Sequence, residues 1–117
     1  LKRAWVASGG EVLINCIGAD SVGKQELETA LLTSASLVVS DATVQCVERG
    51  ECQHAVKSGA LSESTIVEIG QWLTRPPEAQ IRPPGLVVFD STGVAVQDVK
   101  IAELAMGAAQ APPKSAL

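Results

Sequence analysis

Two short stretches hold the residues best suited to chemistry. One is Gly18-Ala19-Asp20-Ser21-Val22-Gly23-Lys24; the other is Asp90-Ser91-Thr92-Gly93. Each follows a short apolar run, Val12–Ile17 and Leu86–Phe89. In open α/β sheets, ligands bind outside the carboxyl ends of the strands. If the two runs are neighbouring parallel strands, both loops open on one crevice. There glycine permits close backbone approach, and Asp20 offers a carboxylate able to move a proton. Lys24, one helical turn further on, can meet an anionic or hydroxyl-rich cofactor. On residue type alone a plainer role stands beside each: a turn or cap for Asp20, a solvated lysine for Lys24, and a helix cap for Ser91 or Thr92.

Cys46, Cys52 and His54 form a third group. Their Cys-x5-Cys-x-His spacing matches no common zinc pattern and lacks a fourth ligand. A Cys52–His54 nucleophile pair is weaker still, because residues this close on one segment rarely face each other, and no third group orients them. The cysteines read as small apolar core residues, His54 as a surface or interface residue, and Trp5 and Trp72 as packing residues. Three cysteines make an odd, sparse set. That argues against a disulfide framework and fits a reducing compartment, so a cytoplasmic location is expected.

The elements that must position these residues alternate between strand and helix. Leu1–Ser8 reads as a helix end or connector, and Gly9-Gly10 as a turn. Val12–Ile17, Leu37–Val39 and Leu86–Phe89 have the apolar runs of buried strands. Lys24–Thr33 carries Leu27, Leu31 and Leu32 at helical spacing, with Glu26 and Glu28 near its start, where the helix dipole favours acids. Ser40 or Asp41 is placed to cap the next helix, and Glu48–Lys57 is expected to be partly helical. Ser64 or Thr65 is expected to cap a helix through Leu73, with Glu68 near its capping-box position. Pro76-Pro77 and Pro83-Pro84 make Thr74–Gly85 a loop. The last helix is expected over Val94–Ala109, with polar residues on a narrow stripe and an apolar remainder that needs cover on several sides. Gln110–Leu117 reads as a frayed tail.

Composition agrees. The 117 residues are 46% hydrophobic, 19% charged and 3% aromatic, without tyrosine. Such a chain packs rather than staying disordered, and its Val, Ile, Leu and Ala suit a parallel sheet covered by helices. The net charge of −4 and the absence of a basic patch argue against nucleic acid. No apolar run approaches the roughly 18 residues of a membrane span, and no signal peptide is evident. The chain begins at Leu1 rather than Met, so its start reads as a cut edge. Only three strands are expected, half of the usual complement of a doubly wound nucleotide-binding domain.

Four motifs in order resemble the ornithine cyclodeaminase/mu-crystallin family, which includes archaeal-type alanine dehydrogenases. They are Leu13-Ile14-Asn15-Cys16-Ile17-Gly18-Ala19-Asp20-Ser21-Val22-Gly23-Lys24-Gln25-Glu26-Leu27, Gly50-Glu51-Cys52-Gln53-His54-Ala55-Val56-Lys57-Ser58-Gly59, Ile69-Gly70-Gln71-Trp72-Leu73 and Phe89-Asp90-Ser91-Thr92-Gly93-Val94-Ala95-Val96-Gln97-Asp98. The resemblance implies that Asp20 is the catalytic acid/base. It implies that Cys16, Ile17, Gly18, Lys24 and Ser91 bind NAD or NADP, and that Thr92 contacts the substrate, a small amino acid or its imine. Leu13 stands where the family commonly has His, and Val22 where it has Pro. No G-x-G-x-x-G phosphate loop occurs.

The resemblance implies the carboxyl-terminal half of a Rossmann-like, doubly wound parallel sheet plus a long apolar terminal helix. Residues 1–93 would be part of the nicotinamide-binding domain, 94–109 the helix packing on a dimerisation/substrate domain, and 110–117 a flexible tail. The missing amino-terminal half, or a partner chain, would complete the site in a homo-oligomer. Alanine dehydrogenase, ketimine reductase and ornithine cyclodeaminase activities all fit. The alternatives are a crystallin-type nicotinamide or small-ligand binder without catalysis and an inactive isolated fragment.

Overall fold

The computed structural model describes residues 1–7 and 9–110, apart from the side chain of residue 110. A 3-10 turn at Arg3–Trp5 precedes β1 (Val12–Cys16), followed by α1 (Thr29–Ser34), β2 (Leu37–Ser40), α2 (Thr43–Arg49), α3 (Gln53–Lys57), β3 (Ile66–Glu68), α4 (Ile69–Leu73), β4 (Leu86–Asp90) and α5 (Ala95–Gln110). The strands form one four-stranded sheet in the order β1-β4-β2-β3. Every pairing is parallel, with Cys16 opposite Asp90 and Ser40 opposite Asp90 and Glu68.

Strand alternation sorts the side chains between two faces. Ile14, Cys16, Val38, Ile66 and Val88 join Leu27, Leu31 and Leu32, Cys46 of α2, and Cys52 and Ala55 in the core cluster. Helices α1 to α3 thus cover one face of the sheet. On the other face Leu13, Asn15, Val39, Val87 and Phe89, with Ile69 of α4, line an apolar groove of about 310 Å³. Leu13 is 53% exposed there. The three cysteines are free and buried, as expected of small core residues.

Several expectations need correction. Among the described residues there are four strands rather than three. The fourth, β3, occupies residues expected to be helical, leaving only Ile69–Leu73 for α4. Glu68 caps α2 instead of its own helix: its Oε2 accepts from the Thr43 N–H at 3.1 Å. The helix expected from Lys24 starts only at Thr29, and the N–H groups of Glu26 and Leu27 before it bond to Glu51. Glu48–Lys57 is partly helical, as expected: α2 ends at Arg49 and α3 begins at Gln53. Trp5 is 69% exposed and lies beneath Lys2 rather than packing, while Trp72 is half-buried under Arg75. His54 is half-buried, with Nε2 lacking a partner.

Helix α5 runs to Gln110, the first residue of the expected tail, and residues 111–117 lie outside the described residues. Its residues Ala95–Ala109 are all exposed, Val96, Val99, Ile101, Leu104 and Met106 among them. Gln97, Asp98, Lys100 and Glu103 interrupt its apolar surface. Among the described residues, no helix is long and apolar enough to cross a membrane.

Candidate functional site

Strands β1 and β4 are parallel neighbours, so the loops that leave their carboxyl ends start side by side. The Ser91 N–H ties them together by donating to the Cys16 carbonyl at 2.9 Å. In the first loop Ile17 and Gly18 are exposed, Ala19 is buried, and Asp20 is exposed again. Asp20 forms an ion pair with Lys24 at 2.6 Å, both side chains being about half exposed. Hydrogen bonds from Lys24 and Ser21 hold the Asp20 carboxyl below the ordinary carboxylate range. A carboxylate held this way is charged over a wide pH range, and the same bonds make it a weaker base than a free one.

The loop's backbone is held from beneath by two side chains that sequence reasoning left without a role. Glu51, between α2 and α3, and Gln53, the first residue of α3, flank Cys52, and both are fully buried. The Glu51 carboxylate accepts the Leu27 N–H at 2.6 Å and the Glu26 N–H at 2.9 Å. Burial pushes the Glu51 carboxyl up, and these two donors oppose the rise. Gln53 Oε1 accepts from the Gly23 N–H at 2.8 Å, and its Nε2 donates toward the Ser21, Lys24 and Gly50 carbonyls. Glu26 folds back so that its Oε2 accepts from the Gly18 N–H at 2.8 Å. A Cβ at Gly18 would lie 2.5 Å from that carboxylate, which favours glycine at the strand end.

The second loop is organised by Asp41, just after β2. Asp41 Oδ2 accepts from Ser91 Oγ and from the Gly93 N–H, both at 2.9 Å. Oδ1 accepts from the Ala42 N–H at 2.7 Å and from Thr92 Oγ1 at 3.3 Å. The Ser91 and Thr92 hydroxyls therefore bond to Asp41 rather than capping α5. Burial works against the Asp41 charge, but Ser91, Ala42, Cys46 and Gly93 outweigh it and hold its carboxyl low.

Asp90, at the end of β4, is fully buried. Its Oδ2 accepts from the Cys52 N–H at 2.9 Å, whereas Oδ1 has no partner. Burial raises the Asp90 carboxyl. It also pushes the Cys16 thiol up to about 12 and raises Cys46 and Cys52. Such thiols stay protonated and are poor nucleophiles. Among the described residues, no three His, Cys, Asp or Glu side chains gather closely enough to hold a metal.

The structure thus joins Cys16, Ile17, Gly18, Asp20, Lys24, Ser91 and Thr92 through two adjacent loops at one end of the sheet. A hollow of about 460 Å³ lies at the opposite end, by Gly10, Glu11, Ser36 and Gly85. It is remote from these residues.

The profile of the ornithine cyclodeaminase/mu-crystallin family matches residues 1–111. The chain belongs to this family. Among cyclodeaminase/mu-crystallin relatives, it is 37% identical to an alanine dehydrogenase of Archaeoglobus fulgidus over 89% of this chain and 32% of that protein. It is 35% identical to the iminosuccinate reductase of Paracoccus denitrificans over 80% of this chain and 29% of the relative. The structure of that reductase in complex with NAD+ superposes with a TM-score of 0.65. A lysine cyclodeaminase structure gives 0.73 at 35% identity, covering 89% of this chain and 28% of that one. An archaeal alanine dehydrogenase dimer with bound NAD gives 0.70 at 33% identity, covering 88% and 32%. The chain spans about a third of the length of these family members.

Proposed function

We propose that residues 1–117 form the nicotinamide-facing part of an NAD(P)-dependent enzyme acting on a small α-amino acid or its imine, of dehydrogenase, ketimine reductase or cyclodeaminase type. The observation that carries this reading is the juxtaposition of the two loops: one presents the exposed Asp20–Lys24 ion pair, and the other lies beside it at the carboxyl end of the adjacent strand. The activities named for the relatives support it.

The residues present suit the nicotinamide end of the cofactor. Ile17, 75% exposed at the mouth of β1, offers an apolar surface to a flat ring. Gly18 lies next to it in the exposed loop, and Lys24 supplies a cation. Bound nicotinamide would supply the hydride acceptor or donor. Asp20 would move a proton to or from the substrate nitrogen or a water molecule, while Ser91 and Thr92 border the ring and the substrate. With the Ser91 hydrogen directed at Asp41 and the Thr92 hydrogen at Asp41 or Gln45, both hydroxyl oxygens can still accept hydrogen bonds.

The phosphate-binding loop and the groups for the substrate carboxylate would come from polypeptide outside residues 1–117, in the same chain or a partner. The apolar surface of α5 supports its packing on that polypeptide, within a homo-oligomer. A cytoplasmic setting suits the three free thiols.

Asp20→Asn in the full-length polypeptide tests the reading. Turnover of amino-acid and imine substrates should fall by about 10²-fold or more, with NADH binding, followed by fluorescence, largely kept. Wild-type turnover in this variant would remove Asp20 from the chemistry. NADH binding with no turnover of any such substrate, even by the unmodified enzyme, would favour the crystallin-type binder.

A further inference from the structure

Gln53 commits its whole carboxamide to backbone groups, and most of its bonds go to a single loop. Oε1 accepts from the Gly23 N–H at 2.8 Å. Nε2 lies 3.3 Å from the Ser21 carbonyl, 3.1 Å from that of Lys24 and 2.9 Å from that of Gly50. The residue is 0% exposed. A buried amide is tolerable only when paired in this way, and ordering a long side chain carries an entropic cost. An apolar residue of similar size would fill the same space without burying polar groups that need partners.

The loop it grips has little else to hold its middle. Within Ser21–Lys24 one turn bond closes the backbone, from the Lys24 N–H to the Ser21 carbonyl at 3.1 Å, and all four residues are exposed. Gly23 takes a φ of +88°, a conformation that leaves its N–H pointing at Gln53. The segment carrying Gln53 also reaches β4, since the Cys52 N–H bonds to the Asp90 carboxylate. One buried turn therefore contacts both loops.

We propose that Gln53 is a positioning residue: it fixes the Ser21–Lys24 turn, and through it sets where Asp20 and Lys24 stand relative to Ser91 and Thr92. The proposal rests on the reading of Asp20 and Lys24 as the groups that meet substrate and cofactor. Gln53 itself touches neither side chain. Its influence passes through the carbonyls and the N–H on either side of them, with Glu51 holding the far end of the same loop.

The test compares two variants in the full-length polypeptide carrying these residues. Gln53→Met keeps the length and removes the amide; Gln53→Asn keeps the amide on a shorter arm. Amide hydrogen exchange is read at Gly23 and Lys24 and compared with Val88 in β4. The Met variant should exchange about tenfold faster or more at Gly23 and Lys24, with Val88 little changed. Its kcat should fall more than its KM rises, as misplacement of a reacting group predicts. The Asn variant should recover part of both.

Unchanged exchange at Gly23 in the Met variant, or equal acceleration at Gly23 and Val88, overturns the proposal. So does identical behaviour of the Met and Asn variants. If the Met variant does not fold, the Asn variant decides: acceleration confined to the loop supports the proposal, and uniform or absent acceleration overturns it. Loop-confined acceleration with full turnover would leave the restraint in place and remove Asp20 from the chemistry. Loss of turnover in Asp20→Asn with unmoved exchange in the Gln53 variants would do the reverse.

Discussion

The loop after β1 is secured by side chains that come from elsewhere, whereas the loop after β4 is secured partly by its own. Glu51 and Gln53 hold the first by its backbone, at Gly23, Glu26 and Leu27. Ser91 and Thr92 turn their own hydroxyls toward Asp41, alongside backbone bonds from the Ser91 N–H to the Cys16 carbonyl and from the Gly93 N–H to Asp41. A loop held by its backbone keeps its side chains free for a ligand. Asp20 and Lys24 are accordingly exposed and answer only to each other and Ser21. The second loop has given up much of that freedom, and its hydroxyls act in fixed orientations.

The comparison breaks most completely at Gly50, where the two supports meet. A Cβ there would lie 2.7 Å from the Cys46 Cα and 2.8 Å from both Asp90 Oδ2 and Thr92 Cγ2. The nearest of these atoms is backbone and cannot step aside. Gly50→Ala should cost about 3 kcal/mol, read from urea unfolding, with faster amide exchange in both loops.

A smaller, one-sided effect is expected from Asp41→Ala. It leaves the Ala42 and Gly93 N–H groups and the Ser91 hydroxyl without their acceptor, at about 2 kcal/mol. Exchange at Gly23 should not move; if it does, the two loops are not independently secured. The effect should depend on pH in a defined sense. The folded-state pKa of Asp41 is lowered, so its contribution is present above the unfolded value and is lost as pH falls through the folded one. Urea unfolding across the acid range should therefore show the gap between wild type and variant closing below about pH 4.

The smallest effect on stability belongs to Lys24→Met, because an exposed ion pair contributes little. The unfolding midpoint should hardly change. The Asp20 carboxyl should rise toward its ordinary value once its main partner is gone, followed by carbon NMR of the side chain. No rise would mean that Ser21 and the loop backbone, rather than Lys24, set its charge.

Much of this arrangement was legible in the sequence. Three apolar runs became β1, β2 and β4, and the glycine-containing loops after two of them fell side by side, as parallel neighbours must. What escaped was long-range. Local pattern places a helix start near Lys24, but the segment before Thr29 is instead bound by its Glu26 and Leu27 N–H groups to Glu51, about 25 residues further on. Ile66-Val67-Glu68 is too short to announce a strand beside Ser64 and Thr65, which look like a helix cap. Asp41 has the local look of a cap, although most of its partners lie some 50 residues away. One usable signal was present: Glu51 and Gln53 stand among Cys52, Ala55 and Val56, and a carboxylate and an amide in such company need partners if they are buried.

Helix α5 has a further consequence, one of cooperativity. Its sixteen residues are near the length at which an isolated helix is marginal in water, about 12–15 residues even for alanine-rich sequences, and Gly107 weakens it further. With Ala95–Ala109 exposed, its order depends on its own turns and on the Lys100–Glu103 pair. Uncovered, the helix frays on its own schedule, while the sheet opens only as a unit. Cover over Val96, Val99, Ile101 and Leu104 would merge the two into a single transition, so that the melting of the helix and the melting of the sheet became one event.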